Sequence, residues 1–306
     1  MNRVRIYVLV TMGIVVLASL SLWLVPGAMR QAFHTSEANA VPLSMTWEQA
    51  KAQVDSAVYA LGEGMIRGDA ELALSGCDST AVEWLEAQRQ RVKKVRARLK
   101  AHPARVLRSV GYRVIRHGKA DEVATAIFGG VLAVYDSLAG EIVHAERYHA
   151  RVRSGRFRLL PPIEDEESQI DFQLGLGSVY QYELGMLGKA LEINRQILKD
   201  LPEENRKRRK SIYRKIADLC AEQGDLTCAY EAYEGALGLL EGNEYTGFKI
   251  DGKQINTKLE EELKYRLAQC ALHMGRKEKV RKLCEELSRS RSEELVAAAR
   301  ALLADL

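Results

Sequence analysis

Residues 212–240 read IYRKIADLCAEQGDLTCAYEAYEGALGLL, and this stretch decides the reading of the C-terminal half. Two runs carry apolar and small residues at helical spacing, on either side of Gly224-Asp225. That spacing predicts two short amphipathic helices, because residues three and four apart share a helix face, while the glycine permits a tight turn between them. Ala217 and Ala229 let two antiparallel helices approach closely, and Tyr213 and Tyr233 fill the wider gaps.

Tyr213, Ala217, Gly224, Ala229, Tyr233 and Ala236 stand where the tetratricopeptide family uses aromatic, small, Gly, Ala, aromatic and Ala residues, so the stretch resembles one tetratricopeptide repeat. Upstream, Gly185, Ala190 and Pro202 keep the same mutual spacing, with Leu174 and Tyr180 slipped by about one residue. Downstream, Leu267, Ala268, Gly275 and Leu287 repeat it, with Val280 in place of the usual Ala. Three repeats meet the minimum for a stacked array, and residues 292–306, opened by Ser292 with Glu293 and Glu294 in the first turn, resemble its capping helix. The turn glycines Gly185, Gly224 and Gly275 lie 39 and 51 residues apart, against about 34 in the family. The first excess falls in residues 202–210. The second is 242–258, read as a polar loop with Tyr245, Phe248 and Ile250 that is either without fixed structure or a contact arm.

The resemblance implies partner binding on the face made by the first helix of each pair. The residues it points there are Tyr182, Arg214, Asp218, Tyr265, Gln269 and His273, whose mix of aromatic and polar groups suits a peptide groove. The competing reading is the plain solvated side of amphipathic helices.

Working back from the array, Pro161-Pro162 and the acidic run that follows read as a linker at 162–168, and residues 45–161 read as an α+β domain. Thr46 with Gln49 makes a capping-box pattern before a helix ended by Gly64 and Gly68; Asp69 caps a short second helix, and Ser79 or Thr80 starts a third that Pro103 stops. Four β-rich runs follow, at 106–116, 122–135, 141–153 and 156–160, separated by hairpin turn signals, and predict an antiparallel meander. On element order, Gly68-Asp69 and the closing strand Gly155-Arg156-Phe157-Arg158-Leu159, this region resembles the nuclear-transport-factor-like cone shared by ketosteroid isomerases and polyketide cyclases; a generic α+β sandwich is the alternative. The expected fold class is therefore an α+β domain followed by an all-α tetratricopeptide-like array, residues 169–306, behind a single N-terminal transmembrane helix.

That helix is residues 6–25, an uncharged run long enough to cross a hydrocarbon core. Arg3 and Arg5 within residues 1–5 keep the N-terminus cytoplasmic, which places everything beyond the tether, residues 26–44, outside the cytoplasm, in the periplasm if the source is bacterial. The small-residue site Ala38-Asn39-Ala40 leaves cleavage and secretion as the alternative.

In the 306 residues the formal charge is only +4, so nothing global points to nucleic acid. Two basic clusters stand out locally: Arg89, Arg91, Lys93, Lys94, Arg96, Arg98 and Lys100, and then Arg206 through Lys210. Either anionic headgroups or an acidic partner would suit them, and so would a solvated helix face. The five cysteines form no metal-ligand spacing, and no cofactor is expected. Cys220 and Cys228 flank the Gly224 turn, as a disulfide or as two separate core thiols. For chemistry, His144, Glu146 and Tyr148 share one strand face, where Glu146 would act as a general base with a raised pKa; no nucleophile elbow, phosphate loop or metal motif accompanies them. The expectation is a non-enzymatic, membrane-anchored scaffold that docks partner proteins. The runner-up is a small-molecule-binding or enzymatic cone with the repeats as a regulatory or assembly appendage.

Overall fold

Thr46 and Gln49 form the capping box their spacing predicts: the Gln49 amide donates to Thr46 Oγ1 (3.3 Å) and the Thr46 amide to Gln49 Oε1 (2.9 Å). Helix α1 (Trp47–Arg67) follows and ends at Gly68, whose φ of 76° turns the chain. Gly64 does not end the helix. It lies inside α1, buried against α2 (Ala70–Leu74), where a Cβ would fall 2.4 Å from the Ala73 nitrogen, so the glycine exists for close approach. Helix α3 (Val82–Leu99) buries Gln88, Val92, Val95 and Leu99, one stripe at helical spacing.

The computed structural model describes residues 46–113, 127–153, 156–161, 166–250 and 252–306. Residues 1–5, the apolar stretch 6–25 and the tether 26–44 lie outside the described residues, and among those described no helix is long and apolar enough to cross a membrane. Strands β1 (Ala104–Arg113), β2 (Ile127–Asp136), β3 (Glu141–Arg153) and β4 (Arg156–Leu160) form a four-stranded antiparallel sheet in sequence order. The meander is the connection that tight turns dictate.

Chain contacts divide the protein into two compact units. One is drawn from Met1–Lys94, Tyr112–Gly129 and Tyr148–Pro161, the other from Val95–Gly111, Gly130–Arg147 and Pro162–Leu306. In the first, β4 pairs with β3, Ala150 opposite Leu159, and its other side is held by the α2–α3 connection. The Leu159 amide donates to the Gly76 carbonyl (3.0 Å), the Asp78 amide to the Leu159 carbonyl (2.8 Å), and the Phe157 amide to Gln53 Oε1 (3.1 Å). An edge strand closed in this way offers no template for a further strand.

The second unit holds the helical stretch. Beside Leu107 and Ala133 of its strands sits Val179, which opens a π-helical turn (Val179–Glu183) at the end of α4 (Glu166–Ser178). Then come α5 (Leu187–Asp200), α6 (Arg206–Glu222), α7 (Leu226–Gly238), α8 (Leu259–His273), α9 (Lys277–Leu287) and α10 (Glu293–Ala304). Each of these helices packs on the next, α8 also touches α10, and one continuous apolar core runs from Ala190 to Ala299. Helix α4 begins at Glu166, inside the stretch read as linker.

The three turn glycines Gly185, Gly224 and Gly275 all have left-handed φ, 63°, 77° and 69°, with nothing within 4 Å of a would-be Cβ; conformation and not crowding requires glycine. After Gly224 and Gly275 the chain closes identically, the Asp225 amide donating to the Cys220 carbonyl and the Arg276 amide to the Ala271 carbonyl. After Gly185 the corresponding bond, from the Met186 amide to the Tyr180 carbonyl, spans one residue more. The π turn absorbs that residue, which is the physical cause of the one-residue slip seen upstream of Gly185.

Residues 242–258 are not a loop, and the C-terminal half is not all-α. Strands β5 (Tyr245–Ile250) and β6 (Lys253–Lys258) form an antiparallel hairpin with Phe248 opposite Ile255. Burial alternates along both strands: Phe248, Ile250, Ile255 and Thr257 face the array core, and Tyr245, Gly247, Lys249, Gln254 and Asn256 are exposed.

Candidate functional site

The structure places the six residues assigned to a groove in different settings. Arg214 reaches from α6 to Glu262 of α8 at 2.9 Å, and Glu262 is 7% exposed. Asp218 accepts a hydrogen bond from the Tyr233 hydroxyl (2.7 Å); burial and then the Asp218 charge push that phenol well above its ordinary range. Tyr265 is 7% exposed and lies under the hairpin, its ring centroid 6.0 Å from that of Phe248. Gln269 is half-buried, His273 is exposed in the last turn of α8, and Tyr182 is 76% exposed in the π turn. Helical spacing in the sequence carries no information about the hairpin that covers Tyr265.

Alternate helices are tied to one another. Asp171 of α4 pairs with Arg208 of α6 (3.6 Å), Gln181 donates to Glu222, and Arg214 pairs with Glu262. On the second helices Arg195 donates to Cys228 Sγ (3.2 Å), and Lys279 pairs with Glu234 (3.2 Å). The Cys220 and Cys228 sulfurs are bonded across the Gly224 turn, while Cys77, Cys270 and Cys284 are free and buried. Burial raises the Cys270 and Cys284 thiols above their ordinary pKa, which keeps them protonated and inert.

The second basic cluster is committed to structure. Arg206 pairs with Glu241 (2.6 Å), Arg208 with Asp171, and Arg209 donates to the Leu198 and Leu201 carbonyls that end α5. Lys210, 6% exposed, pairs with Glu244 at the foot of the hairpin. A run of five cations thus anchors helix ends and the insert, with only Lys207 exposed and outside these contacts. In the first cluster Arg89 pairs with Glu86 (3.4 Å) and Arg98 donates to the Val143 carbonyl (2.7 Å); Lys93, Lys94 and Lys100 are exposed beside the buried stripe of α3.

His144 and Glu146 approach to 3.6 Å on β3, and Tyr148 is buried. At the other end of β2, Asp136 is bound by the amides of Ala139 and Leu138 and by His102 (2.8 Å). These bonds, the Ala139 amide foremost, hold its carboxyl below the usual carboxylate range and fix the β2–β3 turn.

A concave feature lies where the hairpin meets the end of the array. A polar cleft of about 750 Å³ has β6 from Gln254 to Lys258, with Asn243 and Tyr245, as one wall, and Arg289, Arg291, Ser292, Glu293 and Glu294 as the other. Glu261 crosses its floor. Burial acts to raise that carboxyl, but the Thr257 hydroxyl and the Lys258 amide (3.2 Å) outweigh it and hold it below its ordinary range. Ser292 caps α10 through the Leu295 amide (3.3 Å), and its hydroxyl donates to Glu294 (3.0 Å).

The chain matches no protein-family model and no curated protein sequence. What it does is therefore argued from its own geometry. One sequence signal for the cleft went unread: Asp251-Gly252 between alternating runs is the strongest short-range hairpin signal, and Gly252 has a φ of 79°.

Proposed function

We propose that this chain is an adaptor, anchored in a membrane by residues 6–25 with its bulk on the extracytoplasmic side, that docks a protein partner through its tetratricopeptide-like helix pairs. The repeated pair geometry carries this reading. Three pairs, each turned at a left-handed glycine, stack so that each contacts its neighbours, an arrangement whose product is extended surface. The Cys220–Cys228 disulfide supports the location, because such bonds persist in oxidising compartments. Affinity capture of the full-length chain from its native membranes, after crosslinking, is expected to recover a stoichiometric protein partner, and protease given access to the extracytoplasmic face of the membrane alone, in spheroplasts if the source is bacterial, is expected to remove residues 45–306. Recovery of the chain alone, or full protection from protease, overturns the reading.

A second reading rests on His144 and Glu146, a half-buried polar pair on β3. It makes residues 45–161 a nuclear-transport-factor-like cone that binds or converts a small molecule, with the repeats as an appendage. Its test is a ligand that co-purifies with the full chain; turnover of that ligand unchanged in Glu146→Gln removes Glu146 as general base.

A further inference from the structure

Helix α3 carries its charge in rows. Gln88, Val92, Val95 and Leu99 are its buried row, and the same steps taken one residue later give Arg89, Lys93, Arg96 and, just past the helix end, Lys100, all exposed. Lys94 and Arg98 lie on the other flank, and the crest between the two rows is the uncharged pair Gln90 and Ala97. No Asp or Glu occurs in the sequence between Glu86 and Asp121.

The basic run 206–210 spends its cations on the fold, and α3 does so only in part. Arg89 pairs with Glu86, Arg98 donates to the Val143 carbonyl, and Arg91 and Arg96 each have a partner. Lys93, Lys94 and Lys100 are exposed and form no ion pair with a described residue. The acids on α3 and on the strands beside it do not answer these lysines. Glu86 is bound by Arg89 and Gln90, and Asp136 is buried and held by His102 and two amides. Glu141 is exposed where β3 begins, two residues before the Val143 that Arg98 reaches. Glu83 is exposed in the first turn of α3, about 15 Å along the axis from Lys93 and so beyond a screening length.

We infer that this face of α3 rests on the anionic headgroups of the bilayer in which residues 6–25 are anchored. Residues 26–44 reach at most about 65 Å even fully extended, and the described fold starts at Thr46, so the lysines stay near that surface. Such a tether makes the second contact intramolecular, and a weak attraction then suffices. The lysine stems carry their ammonium groups outward to headgroup phosphates while the buried row stays in the core. Gln90 and Ala97 on the crest offer no bulky apolar group to insert, so the contact is electrostatic, at the surface, and sensitive to salt. This inference rests on the anchored part of the adaptor reading and adds to it a second contact with the membrane.

The test compares the full-length chain in nanodiscs of phosphatidylcholine alone and of phosphatidylcholine mixed with phosphatidylglycerol, by the rate at which a water-soluble amine-reactive ester labels each lysine, read by mass spectrometry. Lys93, Lys94 and Lys100 are expected to react about fivefold or more slowly in the anionic discs, and to recover at about 1 M salt. Lys207, exposed and outside any ion pair, is the internal reference and is expected to react equally in both. In the double variant Lys93→Gln/Lys94→Gln, whose changes are confined to exposed positions, the protection of Lys100 is expected to be lost. Equal labelling of the three lysines in both discs, or slowing of Lys207 to the same extent, overturns the inference. Protection in native membranes but not in anionic discs assigns the face to a protein instead, and overturns it as well. A chain held in both discs with equal labelling leaves the anchor standing; a chain that enters neither removes the anchor and this contact together.

Discussion

The α6–α7 pair and the β5–β6 hairpin sit next to each other in the chain and are opposites in how their polar groups are used. In the pair, Arg206, Arg208, Arg209, Lys210, Arg214 and Asp218 each bind an acid, a helix-end carbonyl or a buried phenol, and a disulfide closes the turn. In the hairpin one face is committed to the core, while a strand edge and its neighbouring arginines are not. Regularity in this protein marks packing; the irregular insert leaves one strand face and edge exposed.

The largest expected effect tests whether the hairpin depends on the array. Tyr265→Ala removes the aromatic floor under Phe248 and is expected to destabilise by about 3–5 kcal/mol, as buried aromatic truncations do. Hydrogen exchange should show the 245–258 amides opening first; equal loosening of α6–α7 would show that the two are one cooperative block. Next is the disulfide. Reduction, or Cys228→Ser, is expected to cost about 2 kcal/mol, from the loop-closure entropy of a short loop, and to be felt in α6–α7 and not in the hairpin. Mass-spectrometric thiol counting without reductant should find the three free cysteines, Cys77, Cys270 and Cys284; five free thiols would remove the bond. The smallest effect is a pH difference. Because the folded Glu261 carboxyl lies below its unfolded value, its contribution is fully present above the ordinary carboxylate pKa and lost as pH falls through the lowered folded one. The hairpin should therefore loosen in acid before α6–α7 does, by amide exchange, and Glu261→Gln should flatten that dependence.

Much of this contrast was legible in the sequence, and the part that was not has definite causes. Helical periodicity and the glycine turns locate the helix pairs because packing two helices demands small and aromatic residues at fixed intervals. The alternation in residues 141–153 marks β3 for the same kind of reason. Gly64 was misread as a stop because a glycine needed for contact with Ala73 looks, in one dimension, like one needed for a turn. The hairpin was misread because two six-residue strands rich in Lys, Gln, Asn and Thr look like a polar loop unless Asp251-Gly252 is given its weight. Of the site, the basic run 206–210 was visible, but its partners lie far along the chain, at Asp171, Glu241 and Glu244, and long-range pairing is not written in local pattern.

The π turn at Val179–Glu183 can also be put in genetic terms. A codon added inside a helix would ordinarily rotate every residue on one side of it by about 100°, turning a buried face to water. Here a single widened turn takes up the extra residue, so Gly177 stays buried against Asn194 and Val179 stays in the core while the downstream frame from Gly185 is untouched. The first pair thus carries one more residue than the other two within the hydrogen bond that closes its turn, and an alignment that forbids gaps within helices will fail to superpose them.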